Sequence, residues 1–281
     1  MKIKAHAKIN IGLDVLGKRP DGYHEVRMIM QTVDLHDELW ISKRDEPGIS
    51  LTTDRDDLPV NEDNLIYKAA KLILDEYVPD GGVDIRLVKN IPVAAGLAGG
   101  STDAAAVIKG LDEIFSLGLD ADRMAELGVR IGADVPYCIM GGCALSEGIG
   151  EILTALKPFP DCGVLLAKPP ISVSTAYVYN NLQPDKVTHP DIDGIMAGIE
   201  KGDIYGIAAC MGNVLESVTI DRNPVVGTIK DMMSEGGAIA SLMSGSGPTV
   251  FGLFDSDDKI HKAYDLIERS GLAADLIVSH V

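Results

Sequence analysis

The chain has 281 residues and a formal net charge of −17 at pH 7, and 46% of its residues are hydrophobic. This composition is typical of a globular protein, and the length allows one large domain or two smaller ones. Nucleic-acid-binding proteins carry a basic patch or stripe, whereas the nearest candidate here is only the pair Lys18 and Arg19. We therefore expect no nucleic-acid partner. We also expect no membrane span, because no uncharged apolar run approaches ~20 residues.

Cysteine usage and the first residues indicate a compartment. The four cysteines, at positions 138, 143, 162 and 210, form no C-x-x-C pair and lack histidines at zinc spacing. We predict buried free thiols, which suit a reducing cytoplasm. The first eight residues have charges at alternate positions and no apolar core, so we expect no signal peptide.

Hydrophobic periodicity predicts the elements of the first half of the chain. The predicted elements are strands at 2–16, 26–40, 83–88, 138–145 and 149–156 and helices at 64–77, 101–117 and 121–131. We expect Asn61 or Asp63 to cap the first helix and Asp120 to cap the third. A turn is predicted at 132–137.

The segment 157–161 contains two prolines, which interrupt both helix and strand, and it is the best candidate for a domain boundary. We place the domains at 1–157 and 158–281. The predicted elements of the second domain are strands at 163–167, 238–243, 249–254 and 274–279 and helices at 174–181, 191–201, 203–217, 222–235 and 257–270. This order mixes αβ and ββ connections, so it predicts an α+β domain with antiparallel strands.

The most informative segment is the glycine-rich loop 91–106, which leads from a predicted strand into a predicted helix. Gly96, Gly99 and Gly100 allow close approach of the backbone to a ligand. A helix start presents free N–H groups at the positive end of its dipole. Ser101 and Thr102 can cap the helix and offer hydroxyls to a phosphate or a metal ion. The loop therefore predicts an anion site, although a turn that only packs a strand against a helix is the alternative.

The loop differs from the common phosphate-binding motifs. A P-loop has a lysine before its final Ser or Thr, but Gly100 precedes Ser101 here, and the spacing also breaks the G-x-G-x-x-G dinucleotide pattern. The protein-kinase tripeptides are absent too. Because the chain is acidic, individual basic residues must supply positive charge locally. The candidates are Lys4, Lys8, Lys18, Arg19, Arg27 and Lys89.

Three further segments carry residues suited to phosphate chemistry. Lys8 and Asn10 alternate with apolar residues and so share one face of the first strand. Asp134 lies in the turn Gly-Ala-Asp-Val-Pro at 132–136, and Ser-Gly-Ser-Gly-Pro at 244–248 joins two strands. Each segment also has a plain structural interpretation, namely an edge-strand lysine, an Asx turn and a connecting turn.

Together these four segments resemble those of the GHMP kinase superfamily, in the same order. Within it, the chain is similar to the 4-diphosphocytidyl-2-C-methyl-D-erythritol kinase family along nearly its whole length. The matching motifs are Ala7-Lys-Ile-Asn-Ile11, Arg19-Pro-Asp-Gly-Tyr-His-Glu25, Gly96-Leu-Ala-Gly-Gly-Ser-Thr-Asp-Ala-Ala105, Gly132-Ala-Asp-Val-Pro136 and Glu147-Gly-Ile-Gly-Glu151. The second and fourth motifs separate this family from homoserine and mevalonate kinases.

The resemblance implies a two-domain GHMP kinase fold of the α+β class. Its N-terminal, ATP-binding domain would be ribosomal-protein-S5-like and its C-terminal domain a ferredoxin-like α/β sandwich, with the active site in the cleft between them. It also implies that ATP, with Mg²⁺, phosphorylates the 2-hydroxyl of 4-diphosphocytidyl-2-C-methyl-D-erythritol, in the non-mevalonate route to isoprenoid precursors. The partner would be this small molecule carrying cytidine diphosphate. The oligomeric state, monomer or homodimer, stays open.

The resemblance also implies roles for single residues. Asp134 would orient the hydroxyl or accept its proton, and Lys8 would hold the Asp134 carboxylate and stabilise developing charge. The expected substrate-binding residues are Tyr23 and His24 as cytosine readers, Tyr179 as a second stacking aromatic and Asn10 near the reacting hydroxyl. The expected ATP-binding residues are Asn61, Asn64, Lys89, Pro92, Val93, Ala94, Ala95, Gly96, Leu97, Ala98, Gly99, Gly100, Ser101 and Thr102. The metal ligands stay unassigned beyond the Ser101 hydroxyl.

Two positions depart from the family pattern. Ala98 replaces a usual glycine, and Thr102 replaces a usual serine while keeping the hydroxyl. Because alanine is strained at positive φ, we predict an ordinary negative φ at Ala98.

Two other functions stay open from the sequence. A GHMP kinase with a different acceptor would keep Lys8 and Asp134 but lack the cytosine pair Tyr23 and His24. A non-catalytic nucleotide sensor would be expected to have lost Asp134 or the loop serine, and both are present.

Overall fold

The computed structural model describes all residues from 1 to 281. Its strands are β1 (Lys2–Lys18), β2 (His24–Arg44), β3 (Gly48–Thr53), β4 (Gly82–Val88), β5 (Cys143–Gly148), β6 (Ile152–Ala155), β7 (Gly163–Lys168), β8 (Gly212–Asn213), β9 (Ala240–Met243), β10 (Val250–Phe254) and β11 (Asp275–His280). Its helices are α1 (Leu65–Tyr77), α2 (Gly99–Phe115), α3 (Ala121–Val129), α4 (Val135–Met140), α5 (Thr175–Asn181), α6 (Ile192–Lys201), α7 (Ile204–Cys210), α8 (Glu216–Arg222), α9 (Pro224–Gly236) and α10 (Asp257–Ser270), with a 3₁₀ turn at Pro184–Lys186.

The residues divide into two compact units. The first contains 1–7, 35–93 and 98–141, and the second contains 8–34, 94–97 and 142–281. Because each unit is assembled from separate stretches of the chain, this grouping does not test a division at residue 157. The boundary between 1–157 and 158–281 therefore stays a prediction.

In the first unit, helices pack against a sheet made of β3, β4 and the second half of β2. β4 pairs antiparallel with the second half of β2 and parallel with β3. In β4, Val83, Ile85 and Leu87 are buried, whereas the residues between them are exposed, as the two-residue period of a strand requires. α1 and α2 pack against each other, and their apolar faces complete one buried cluster with the β4 residues. The start of α2, where the glycine-rich loop ends, is thereby fixed to this core.

The second unit contains an antiparallel sheet in the order β11-β7-β10-β9, against which α9 and α10 pack. Every residue of β10 is buried, so both of its faces are covered. Elsewhere in this unit, the first half of β2 pairs antiparallel with β5, and β5 with β6. The short strand β8 pairs in parallel with β1, where Leu13 lies opposite Asn213.

Most predicted elements are confirmed within a few residues, and the differences have local causes. The helix expected at 203–217 stops at Cys210 and gives way to β8 and then α8. The strand expected from 138 begins only at Cys143, because α4 occupies 135–140 and ends at two glycines with positive φ, Gly141 and Gly142. β3 was not predicted, since Leu51 is its only buried residue and it carries almost no hydrophobic signal.

The residues predicted to cap the helices are wrong for α1 and α2 and right for α3. α1 is capped by Asn64, whose side chain accepts a hydrogen bond from Ile66 N at 2.9 Å, and not by Asn61 or Asp63. α2 begins at Gly99, so Ser101 and Thr102 lie inside its first turn and do not cap it. Asp120 caps α3 as predicted, with 2.8 Å from its Oδ1 to Arg123 N.

None of the four cysteines forms a disulfide bond. Cys143 and Cys162 are buried, and burial raises the pKa of each thiol to about 12. Cys138 and Cys210 are only half-buried, so the expectation of buried thiols is confirmed for two of the four. None of the helices combines the length and the apolarity that crossing a bilayer requires.

Asp120→Ala should lower the free energy of unfolding by about 0.5–2 kcal/mol, because the substitution leaves an N–H group in the first turn of α3 without its side-chain acceptor. Urea denaturation measures this loss. Asp122→Ala is the matched control, since Asp122 lies in the same turn and is not the cap. Equal losses in the two variants would contradict the capping role.

Candidate active site

The glycine-rich loop enters α2 through a left-handed residue. Ala98 is the N-cap of α2 with φ 55° and ψ 28°, so the prediction of a negative φ is wrong. The neighbouring bonds explain why the strain is tolerated: Leu97 O accepts from Lys8 N at 3.2 Å, and Ala98 O accepts from Thr102 N at 2.9 Å. The carbonyls of two consecutive residues are thereby fixed, and the turn between them requires the left-handed conformation, at a cost of roughly 1–2 kcal/mol for alanine.

Two glycines of the loop are required for different reasons. Gly96 has φ 77°, and a β-carbon at this position would collide with the carbonyl oxygen of Ser244. Gly99 has no positive φ, but a β-carbon there would lie 2.8 Å from Lys89 Nζ. The glycines were predicted to make room for an anion, and this stays a prediction. The structure shows that Gly96 and Gly99 make room for parts of the protein itself.

Lys8 is bound to the loop and to its neighbour on β1. Its ammonium, in a side chain that is almost fully buried, donates to Asn10 Oδ1 at 2.7 Å and to Gly96 O at 3.0 Å. Ser244 Oγ donates to the same carbonyl at 2.9 Å. The expectation that Lys8 and Asn10 share a face is confirmed. Three of the four segments singled out in the sequence therefore meet at Gly96 O.

The fourth segment, the turn at 132–136, lies beside the start of α2 in the first unit. A β-carbon at Gly132 would lie 3.9 Å from Ser101 Oγ. Asp134 occupies the N-cap position of α4, yet its side chain makes no capping hydrogen bond. The Asx-turn interpretation fails because the residue two positions later is Pro136, which has no N–H to donate. The carboxylate is therefore not occupied by the local backbone.

Lys89 lies in a buried ionic cluster that the sequence did not reveal. Its ammonium pairs with Asp37 and, at 3.2 Å, with Asp103, and all three side chains are at most 4% exposed. Asp37 also accepts from the backbone N–H groups of Asn90 and Ile91 at 2.6 and 2.8 Å. Burial raises the pKa of Asp103 well above its usual range, and Asp37 adds to that shift while Lys89 opposes it. Asp103 Oδ1 has no hydrogen-bond partner.

An acidic residue at a position where the periodicity expects an apolar one was the available signal for this cluster. Asp37 interrupts the apolar pattern of β2, and Asp103 precedes three alanines in α2. Neither feature says which cation would pair with the carboxylate, because the partners are distant in the sequence.

Two further candidates for the ATP site, Asn61 and Asn64, lie in the segment that leads into α1. Asn64 caps α1 and also donates through Nδ2 to Pro59 O at 2.8 Å. Asn61 Oδ1 accepts from Asp63 N at 3.1 Å. Both side-chain amides therefore make hydrogen bonds that stabilise the segment 59–66. Their proximity to a nucleotide stays a prediction.

The expected cytosine readers lie in the second unit. The rings of His24 and Tyr179 are 5.2 Å apart between centroids and tilted by 42°. Burial, with a smaller contribution from Lys18, lowers the pKa of His24, so its imidazole is neutral at pH 7. A neutral imidazole has one donor and one acceptor nitrogen. Tyr23 is 60% exposed.

The structure brings together no group of three or more His, Cys, Asp or Glu side chains that could hold a metal ion. Mg²⁺ in phosphate-transfer sites needs no such group, because it takes one or two protein oxygens together with phosphates and water. The Ser101 hydroxyl, in the first turn of α2, is an oxygen donor of this kind. This donor fits a magnesium ion whose other ligands are phosphate and water oxygens.

Comparison with known proteins decides the family. The model for the GHMP kinases N terminal domain matches residues 64–142, and that for the GHMP kinases C terminal matches 195–271. Proteins named 4-diphosphocytidyl-2-C-methyl-D-erythritol kinase are 51% identical in Lachnospira eligens, over 97% of this chain and 95% of the relative, and 52% identical in Bacillus cytotoxicus, over 94% and 91%. The chain belongs to the 4-diphosphocytidyl-2-C-methyl-D-erythritol kinase family.

Solved structures agree with this family. A crystal structure of 4-(cytidine 5'-diphospho)-2C-methyl-D-erythritol kinase matches with a TM-score of 0.85 at 30% identity, over 100% of this chain and 98% of that one. A homoserine kinase from Cytophaga hutchinsonii matches with 0.79 at 20% identity, over 100% and 93%, which shows a shared fold alone. The predicted GHMP kinase fold is confirmed, and the chain is a small-molecule kinase of this family.

Ala98→Gly should raise the free energy of unfolding by up to about 1 kcal/mol, because glycine removes the left-handed strain while increasing the entropy of the unfolded chain. Urea denaturation reports the difference. Ala106→Gly, in the interior of α2, is the control and should cost about 1 kcal/mol or more. A similar loss in both variants would show that Ala98 is not strained.

Lys89→Met should lower the free energy of unfolding by about 3–5 kcal/mol, because Asp37 and Asp103 would stay buried without their cation. The exposed ion pair of Lys71 with Asp75 provides the control, and Lys71→Met should change stability by less than about 1 kcal/mol. Comparable effects of the two substitutions in chemical denaturation would argue against a stabilising cluster.

Proposed function

We propose that this chain transfers the γ-phosphoryl group of ATP to the 2-hydroxyl of 4-diphosphocytidyl-2-C-methyl-D-erythritol, giving the 2-phosphate and ADP. The observation that carries the proposal is the attachment of the buried Lys8 ammonium to Gly96 O of the glycine-rich loop. Phosphoryl transfer depends on placement and charge neutralisation, and a lysine fixed to the phosphate-binding loop provides both.

The loop binds the ATP phosphates in this proposal. No side chain caps α2, so the backbone N–H groups at its start stay available at the positive end of a 17-residue helix. The N–H of Thr102 is the first to be used within the helix, since it donates to Ala98 O. An anion at this end therefore meets N–H donors that no other group satisfies. These donors would bind the phosphates in a loop that has no lysine of its own.

Asp134 and Lys8 carry the chemistry. An alcohol is a poor nucleophile at pH 7, so a positioned carboxylate that orients it or accepts its proton assists the attack. Asp134 is suited to this role because the local backbone does not occupy its carboxylate. Lys8 supplies positive charge for the transferring group. Mg²⁺, which the phosphates and the Ser101 hydroxyl would hold, would supply further charge neutralisation.

The cytidine group of the substrate would be read by the aromatic residues of the second unit. Stacking of a base on an aromatic ring is worth about 1–3 kcal/mol. Tyr23 and Tyr179 are the rings assigned to stacking, and the neutral imidazole of His24 can both donate to and accept from the base edge. Asn10, bonded to the Lys8 ammonium, would contact the substrate near the reacting hydroxyl. The four cysteines of the chain, none of which is in a disulfide bond, suit the reducing cytoplasm that we expect for this enzyme.

The decisive experiment measures ADP formation from ATP and Mg²⁺ with and without 4-diphosphocytidyl-2-C-methyl-D-erythritol. We expect turnover that depends on this substrate and is absent with homoserine or mevalonate. Equal ADP formation with all three acceptors would refute the assignment. No turnover with any acceptor, together with tight ATP binding, would favour a nucleotide sensor.

Asp134→Asn should abolish turnover and leave ATP affinity within about 3-fold, because the substitution removes the proton acceptor but keeps the loop that holds the phosphates. Steady-state kinetics and ATP titration measure the two quantities. Asp122→Asn, at an exposed position of α3, should behave like the wild type. Wild-type turnover in Asp134→Asn would exclude Asp134 as the base.

A further inference from the structure

The turn at 244–248 is held by a segment to which neither the sequence nor the family motifs assigned a role. Asn213, buried at the end of β8, donates through Nδ2 to Met243 O at 2.7 Å and to Gly245 O at 2.8 Å. Its Oδ1 accepts from Leu215 N at 3.0 Å. The amide therefore makes three of the four hydrogen bonds that its two polar atoms allow.

A second side chain of the same segment binds the same stretch of backbone. Glu216 Oε1 accepts from Met243 N at 2.8 Å, and its Oε2 pairs with Lys230 Nζ at 2.5 Å. Both polar groups of Met243 and the carbonyl of Gly245 are therefore bonded to side chains from residues 213–216. We call this set of bonds, made by Asn213 and Glu216 to Met243 and Gly245, the clamp.

The clamp binds Met243 and Gly245, the two residues that flank Ser244. Ser244 Oγ donates to Gly96 O, the same carbonyl that accepts from Lys8 Nζ. A β-carbon at Gly245 would lie 3.5 Å from that ammonium. A shift of the backbone at 243–245 would therefore move Ser244, and with it the loop carbonyl that fixes the Lys8 ammonium.

The turn has two backbone hydrogen bonds of its own, from Gly247 N to Ser244 O at 3.0 Å and from Ser244 N to Thr249 O at 2.9 Å, and neither fixes the carbonyls of Met243 and Gly245. Gly245 and Gly247 have φ of 58° and 87°, and glycine loses more conformational freedom on folding than any other residue. A hydrogen bond from Thr219 Oγ1 to Ser246 O at 3.2 Å holds the far side of the turn, while the clamp holds the side that faces Gly96 and Lys8.

We infer that Asn213 and Glu216 are positioning residues for phosphoryl transfer, which act through Ser244 on Gly96 and Lys8. This inference rests on the proposed function. It assigns the segment Gly212–Glu216 a part in placing the Lys8 ammonium, without contact to either substrate. Displacement of a catalytic group by about 1 Å can cost on the order of 100-fold in rate.

Asn213→Asp tests the inference with an isosteric change, because an oxygen replaces the Nδ2 donor and faces the carbonyls of Met243 and Gly245. We expect kcat to fall by about 10- to 100-fold. The KM for the cytidine substrate should stay within about 2-fold, because the aromatic readers make no bond to the clamp. Asn223→Asp is the matched control, since the Asn223 side chain, in the same unit, donates a single hydrogen bond, from Nδ2 to Thr219 O at 3.2 Å. It should keep wild-type kcat.

Ser244→Ala removes the link to Gly96 and leaves every bond of the clamp intact, so it provides a second variant if Asn213→Asp fails to fold. Its kcat should fall by a similar factor. In a double-mutant cycle, Asn213→Asp should cost little in the Ser244→Ala background, because both act through one contact. Additive losses, or a wild-type kcat in folded Asn213→Asp, would overturn the inference.

Failure of the clamp is distinguishable from failure of the proposed function. Substrate-dependent turnover of the wild type with an unchanged kcat in Asn213→Asp would refute only the clamp. A purely structural role would lower the melting temperature of Asn213→Asp and leave kcat per folded molecule intact, and that result would also refute the clamp.

Discussion

A single backbone oxygen, that of Gly96, holds three distant parts of this chain together. It accepts from Lys8 Nζ on β1 and from Ser244 Oγ at the turn after β9. A buried ammonium requires acceptors, and a carbonyl with two lone pairs can satisfy two donors at once. The positions of residues 8, 96 and 244 are therefore mutually dependent. The N-terminal motif, the glycine-rich loop and the late turn therefore depend on one shared acceptor.

The two lysines near the loop differ in what surrounds them. Lys89 pairs with two carboxylates, so its charge is balanced within the protein whatever the protonation of Asp103. Lys8 is bonded to an amide oxygen and a carbonyl oxygen, which orient the ammonium without neutralising it. A phosphate that approaches the loop would gain more from the unneutralised cation. We therefore expect Lys89 to shape the loop and Lys8 to supply the charge.

Local patterns predicted those features of the fold that depend on local physics. The alternation of Val83, Ile85 and Leu87 predicted β4, and Asp120 before an amphipathic run predicted the cap of α3. The left-handed conformation of Ala98 could not be predicted, because bonds at the adjoining carbonyls override the intrinsic preference of alanine. Nor could the pairing of Asp103 with Lys89, or the clamp of Asn213 on Met243, since each joins residues with no fixed spacing. For the site, the sequence supplied the residue types, and folding determined which of them share an acceptor.

Ala94 and Ala98, both left-handed with φ of 51° and 55°, also bear on how the loop would bind a nucleotide in the proposed function. An all-glycine loop would be free to sample many conformations and would have to lose that freedom at every encounter with ATP. In this chain the loop is confined during folding, when the packing of the whole protein offsets the strain. In the proposed function, the backbone amides would already be arranged when the phosphates arrive, so a free-energy cost met once, during folding, would replace one that recurs with each catalytic cycle.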